Sequence, residues 1–240
     1  MNVPFYVTML LYLIMALLLC CVFYALNYGY KLLGYTNRSR MIALLTAGIL
    51  LAGWLVLIAV AAVTGHLLNF TTLPPRMLVA IIPPILAISY IASSERVNRL
   101  LKVIPISWFI NVQSFRVLME IFLWLMYING AVPKQMTLEG RNFDIITGIS
   151  APIVAYFCFT KKSWPKMAAL LWNAAGFLLV TNVFIIGILS IPGPLRKFFE
   201  EPANTMVAYF PYVWIPAFIV PFAYLMHILS IKQLLKIDKD

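Results

Sequence analysis

ISWFINVQSFRVLMEIFLWLMYIN, residues 106–129, is the stretch on which the fold turns. A helix of that length rises roughly 36 Å at about 1.5 Å per residue, enough to cross a hydrocarbon layer about 30 Å thick. Its polar and aromatic residues Phe109, Gln113, Arg116, Glu120, Trp124 and Tyr127 recur every three or four positions and so fall along one face. Counted from Ile106, Arg116 lies about 15 Å in and Glu120 about 21 Å in. A charge at such depth costs roughly 2.5–3.5 kcal/mol on insertion scales, so both side chains are expected to face the interior of a bundle. Their i,i+4 spacing makes them each other's first candidate partners.

The chain then reads PKQMTLEGRNFD over residues 133–144 and enters another apolar run. Asp144, with Asn142 close by, is placed at the first turn of that run, where an acid or amide caps free backbone amides and meets the favourable end of the helix dipole. A short connection makes the two helices antiparallel neighbours, which brings Asp144 toward Arg116 and Glu120. An Arg116, Glu120 and Asp144 cluster is the candidate site. Gln113 on the same face, and Glu139, Arg141 and Asn142 in the connection, complete the set of ligand-binding or proton-relay candidates. An architectural alternative stands beside it: an Arg-Glu pair can fix helix register, and Asp144 can serve as a cap alone.

Outward from this core, 63% of the 240 residues are hydrophobic and 11% are charged, with a mean hydropathy of +0.93. Soluble domains carry about a quarter charged residues, so the composition is that of a membrane chain with the lipid bilayer as its surroundings. Seven apolar runs qualify as spans: 5–30, 41–65, 76–93, 106–129, 143–160, 166–190 and 206–231. The reading is an all-α bundle in a single domain, 1–240. The first run carries no leading positive charge and exceeds the core of a cleaved signal peptide, so it is expected to remain as a helix.

Eighteen Lys and Arg against eight acids leave +10, scattered over short loops in the manner of membrane orientation signals. Lys31, Arg38, Arg40, Arg96, Arg99, Lys102, Lys161, Lys162, Lys166, Lys232, Lys236 and Lys239 fall on one side. Arg76, Lys134, Arg141, Arg196 and Lys197 fall on the other. This places the N-terminus outside and the C-terminus inside. No basic stripe with interleaved aromatics occurs, which argues against nucleic acid as a partner.

Leu195, Phe198 and Phe199 at helical spacing among Arg196, Lys197, Glu200 and Glu201 predict a short interfacial helix over 194–201. Pro83, Pro84, Pro211, Pro216 and Pro221 predict kinks in the third and seventh spans, without lining one face. Ala43-Leu44-Leu45 leading to Pro74-Pro75-Arg76, and Ala169-Leu170-Leu171 leading to Pro192-Gly193-Pro194, hint at a parallel repeat, but apolar text matches itself easily and no repeat is taken from it.

Among the remaining residues, Asn173 and Asn182 lie on opposite faces of the sixth span and are expected to make interhelical hydrogen bonds. His66 falls at the outer end of the second span and His227 toward the inner end of the seventh, each open to a capping or pH-responsive role. Trp164, Tyr209 and Tyr212 fit an interfacial aromatic belt. Cys20, Cys21 and Cys158 sit within apolar runs as packing residues.

No metal-ligand spacing, HExxH, GxSxG or phosphate loop occurs, and no cofactor or metal is expected. Lys232 lies at the end of the seventh span, which argues against a retinal Schiff base.

The stretches FRVLME (115–120), EGRNFD (139–144), Ala151-Pro152 and FPYVWIP (210–216) resemble a group of uncharacterised bacterial multi-pass membrane proteins. The likeness covers roughly residues 105–235. It implies a location in the bacterial plasma membrane and carries no activity with it. The leading functional expectation is binding or translocation of a small polar or ionic solute at the Arg116 cluster. A non-catalytic membrane partner subunit or assembly factor, and a lipid-modifying enzyme using Glu120, Asp144 and Glu139, are the alternatives.

Overall fold

The computed structural model describes residues 3–72 and 75–237. Met1, Asn2, Pro74 and Lys239, which figured in the leader, repeat and charge arguments, lie outside the described residues. Among the described residues there is no strand. The helices are α1 (Phe5–Leu32), α2 (Asn37–Val63), α3 (Leu78–Ser93), α4 (Glu95–Leu101), α5 (Ile106–Asn111), α6 (Phe115–Ile128), α7 (Ile145–Ala155), α8 (Lys166–Leu189) and α9 (Val220–Ile237).

Five helical stretches of the described residues are long and apolar enough to cross a membrane: Phe5–Leu32, Asn37–Val63, Ile106–Ile128, Lys166–Leu189 and Ile215–Leu235. A sixth forms if α3 and α4, which bend by 66° about Ser94, count as one span. The run expected over 143–160 is the shorter apolar helix Ile145–Thr160. At about 1.5 Å per residue it covers roughly 24 Å.

Irregular turns join some of these elements without breaking the column. A 3-10 turn at Val112–Ser114 links α5 to α6, so the 106–128 span carries a change of pitch just before Arg116. The last span begins later than residue 206. Met206–Ala208 is a single 3-10 turn, and regular winding starts with the π turn Ile215–Ile219 that leads into α9. Pro211 and Pro216 lack the amides that a helix through this region needs.

Two tryptophans tie the π turn and the residue before it to α2, one of them through a carbonyl of the turn itself. Trp54 Nε1 donates to Ala217 O at 3.0 Å. Trp214 Nε1 donates to Leu55 O at 3.1 Å. The hydroxyls of Thr8 and Tyr212 lie 2.9 Å apart. Tyr212 is therefore buried in the core and not part of an interfacial belt. Trp164 and Tyr209 do face outward.

The short helix expected over 194–201 is absent; this segment has no regular structure. Pro192, Pro194 and Pro202 punctuate it, and Arg196 takes carbonyls a helix would use: its Nε donates to Phe198 O at 2.9 Å and its Nη2 to Glu200 O at 3.1 Å.

The centre of the bundle is α9, which packs on α3, α5 and α8. The α7 helix packs on α5, α6 and α8, while α1 covers α6. By contrast α2 buries only Leu55, Ile58 and Ala62, and turns Ile49, Leu50 and Val63 outward. That outward apolar surface is what a helix bordered by lipid presents.

Candidate functional site

Arg116 is 1% exposed and is among the largest fully buried side chains of the molecule. Three helices besides its own converge on its guanidinium. From α7's first residue back, Asp144 takes two contacts: Arg116 Nε donates to Oδ2 at 2.6 Å, and Nη2 pairs with Oδ1. From α8, Gly176 O accepts from Nη2 at 3.2 Å. From α9, His227 Nε2 lies 2.9 Å from Nη1. An arginine only donates, so Nε2 of His227 must accept and the ring proton sits on Nδ1. That proton points at Asn173 Oδ1, 3.0 Å away. Asn173 Nδ2 in turn donates to Ser230 Oγ at 3.0 Å and to Ala169 O at 2.8 Å. A continuous polar seam thus runs Asp144, Arg116, His227, Asn173, Ser230 through the middle of the bundle, and its last four members are at most 1% exposed.

Two glycines make this convergence possible. A Cβ on Gly176 would lie 2.5 Å from His227 Cε1 and 2.8 Å from Nε2. A Cβ on Gly148 would lie 2.7 Å from Val117 Cγ2 and 2.8 Å from Val117 N. Small residues at helix crossings let backbones approach in a bilayer, where hydrogen bonding has to be completed within the protein.

Arg116 and Glu120 do not pair, although they share a face. Glu120 accepts from Leu138 N and from Asn142 Nδ2, each at 2.5 Å. The connection after α6 folds inward and offers Glu120 two donors that a neighbouring helix lacks, while Asp144 presents both carboxylate oxygens to the guanidinium in a fork that matches its planar donors. Asn142 holds the two halves together. Its Nδ2 also reaches Met136 O at 3.0 Å, and its Oδ1 accepts from Asp144 N at 3.0 Å. Asp144 sits at the cap position of α7, but its side chain makes no capping bond; it is spent on Arg116.

The other candidates separate. Gln113 belongs to the interior: fully buried, it donates from Nε2 to Ala223 O at 3.0 Å, leaving Oε1 without a partner. Glu139 accepts from Trp124 Nε1 at 2.8 Å and lies 3.9 Å from Lys134 Nζ, about half exposed. Arg141 stacks its guanidinium over the Phe198 ring at 5.2 Å, and its carbonyl accepts from Asn182 Nδ2 at 2.8 Å. Glu120, Asp144 and Glu139 thus each accept from a different set of donors. Asn173 makes the interhelical bond expected of it, to Ser230 of α9, whereas Asn182 bonds not a helix but the carbonyl of Arg141 in the connection.

His227 is the member that sequence reasoning placed elsewhere. With the last span starting at Ile215, it lies about 18 Å in, near mid-depth and not at an end. His66 is apart from the site, its Nδ1 2.9 Å from Thr64 Oγ1 at the end of α2. Among the described residues no group of three or more His, Cys, Asp or Glu could hold a metal ion.

Residues 73–235 match a family described as Domain of unknown function (DUF8737), and the chain belongs to that family. The matched region begins just before α3 and contains every residue of the polar seam; α1 and α2 precede it. No curated protein and no solved structure matches the chain.

Proposed function

We propose that this family member is a plasma-membrane protein of a bacterium that binds, and in doing so moves, a small anionic solute at Arg116. In this reading the chain crosses the bilayer seven times, with the N-terminus outside and the short Ile145–Thr160 helix as one crossing, buried against α5, α6 and α8 where the membrane thins around it. The observation that carries the proposal is the inequality within the ion pair. Arg116 is 1% exposed, whereas the Asp144 side chain keeps 14% of its surface accessible. Asp144 thus stands between the guanidinium and the surface as a resident anion. An incoming carboxylate or phosphate that presents two oxygens can exchange with it, because the fork of donors is already aimed. The guanidinium carries donors only, so what it can hold at this point of the seam is an anion.

Reconstituted protein in proteoliposomes tests this. Uptake or binding of small carboxylates and phosphates is expected for wild type, and loss of it for Arg116→Met paired with Asp144→Leu, a combination that removes both charges and leaves apolar side chains in their place. Any detected flux that survives this exchange would overturn the proposal.

One observation favours a second reading, that of a non-catalytic partner subunit or assembly factor. The guanidinium is already filled by protein acceptors, and neither of the two apolar hollows described below is lined by Arg116, Asp144 or His227. Under that reading the double replacement leaves function intact, and the helices act as an interface.

A further inference from the structure

A second feature lies away from the polar seam. Between the start of α3 and the end of α8 the bundle leaves a cleft made of two adjoining hollows of about 60 and 30 Å³. Met77 and Ile81 on one wall and Ile188 and Ile191 on the other line both. The floor is α9 and its π turn, reached through Pro216 and Val220. The cleft is apolar and half open. From Ile191 down to Val183 it covers eight positions, roughly 12 Å, most of the roughly 15 Å depth of one hydrocarbon leaflet.

Two further observations specify what fits. At the open end Arg76 is exposed between the wall residues Pro75 and Met77, and Lys197 is exposed two residues beyond Leu195 of the other wall. Below them Asn204 lines the cleft. Its Nδ2 donates to Gly187 O at 2.9 Å, which fixes the amide's orientation, and its Oδ1 is buried without a partner. A buried acceptor left unmatched costs about 1–3 kcal/mol and calls for a donor.

From the mouth inward the order is positive charge, single acceptor, apolar slot. We propose that the cleft is a binding site for a single-chain anionic glycerophospholipid. Its phosphate lies at Arg76 and Lys197, its free glycerol hydroxyl donates to Asn204 Oδ1, and its acyl chain fills the slot between α3 and α8. The site is independent of the solute proposal, since it shares no residue with the Arg116 seam.

Native mass spectrometry of the full chain released from neutral detergent micelles, titrated with lysophosphatidic acid, tests it. The expected result is one saturable adduct. Monoacylglycerol, which lacks the phosphate, and the 2-deoxy analogue, which lacks the hydroxyl, are expected to bind more weakly, the latter by about threefold to tenfold for one neutral hydrogen bond. Arg76→Gln and Lys197→Gln are each expected to weaken lysophosphatidic acid by about fivefold and to leave monoacylglycerol unchanged. Ile188→Trp, which fills the slot, is expected to abolish the saturable adduct of all three. Ile191→Phe serves as the same test from a second position should the tryptophan variant fail to fold. A non-saturating ladder of adducts unaffected by these wall substitutions would overturn the proposal, as would tighter binding of diacyl phosphatidylglycerol than of the single-chain lipid.

Discussion

Replacing Asp144 by asparagine keeps the shape of the side chain and removes the only charge that answers Arg116 among the described ion pairs. Of the four acceptor contacts to the guanidinium, the two to Asp144 are charge-assisted, whereas His227 Nε2 and Gly176 O are neutral. Stranding one member of a buried pair costs about 3–5 kcal/mol, because its partner's charge is left in a medium that cannot solvate it. At 1% exposure Arg116 has no contact with water that would soften this. The reverse substitution, Arg116→Met, is expected to cost less, since Asp144 keeps 14% of its side chain accessible and can hydrate. The double replacement Arg116→Met with Asp144→Leu is expected to recover most of the loss, as apolar replacements of buried pairs do. The assay is equilibrium unfolding of the four proteins in mixed micelles, read as a double-mutant cycle. If Asp144→Asn costs under about 1 kcal/mol, or if the two single variants rank in the opposite order, the pair is not the electrostatic centre of the bundle.

Other outcomes follow from the same geometry. Gly176→Ala drives a methyl against the His227 ring and is expected to cost about 1–3 kcal/mol through overpacking, with hydrogen exchange of the α8 amides reporting the displacement. Asn142→Leu removes a donor to Glu120 and the acceptor for Asp144 N, and is expected to cost about 1–3 kcal/mol while raising proteolysis of the 130–144 connection; an unchanged cleavage rate would count against the inward-folded connection. Glu201 accepts from Arg196 Nη2 and Ala203 N, and these bonds hold its carboxyl below the usual 4.5. Its contribution to ordering 196–203 is therefore present above that usual value and lost as the pH falls through the lowered one, which exchange protection of the Ala203 amide along the acid limb would register. In a eukaryotic host the half-buried acceptor Asn69, and not the exposed Asn37, is expected to be glycosylated if the N-terminus lies outside.

How far the sequence was legible depended on the range of the interaction. The face carrying Gln113, Arg116 and Glu120 could be read because helical periodicity is local, and the three are indeed buried. The nearness of Asp144 to Arg116 followed from a short connection. The choice of partner did not follow, because it was decided by two donors, Leu138 N and Asn142 Nδ2, that exist only once residues 131–142 fold back into the bundle. Val132, Gln135, Thr137 and Asn142 are buried there, and no periodic signal marks an irregular segment that enters the core. His227 was misplaced for a related reason: hydropathy does not distinguish a helix from apolar turns, so residues 206–214 were read as helix and the histidine slid toward the end. The second missed feature, the failure of 194–201 to wind, turns on Arg196 reaching its own carbonyls, a contact that side-chain spacing does not encode.

The departures from α geometry bear on why this seam exists at all. In an unbroken helix each interior carbonyl already accepts one backbone amide, so a buried side chain must find a second lone pair or a carbonyl released by a break. Both solutions occur here. Arg116 and Gln113 use the second lone pairs of Gly176 O and Ala223 O, within α8 and α9, and Gly176 allows the approach because it carries no side chain. Trp54 reaches Ala217 O inside the π turn. The 3-10 turn Val112–Ser114 packs on α9 and α7 immediately before Arg116, and its tighter pitch changes the angular position of everything beyond it. A span from Ile106 that wound without this change would deliver Gln113 and Arg116 at different bearings relative to α7 and α9. The charge and the irregular backbone are therefore one construction: the breaks aim the side chains, and the side chains occupy the acceptors that make breaks tolerable inside a membrane.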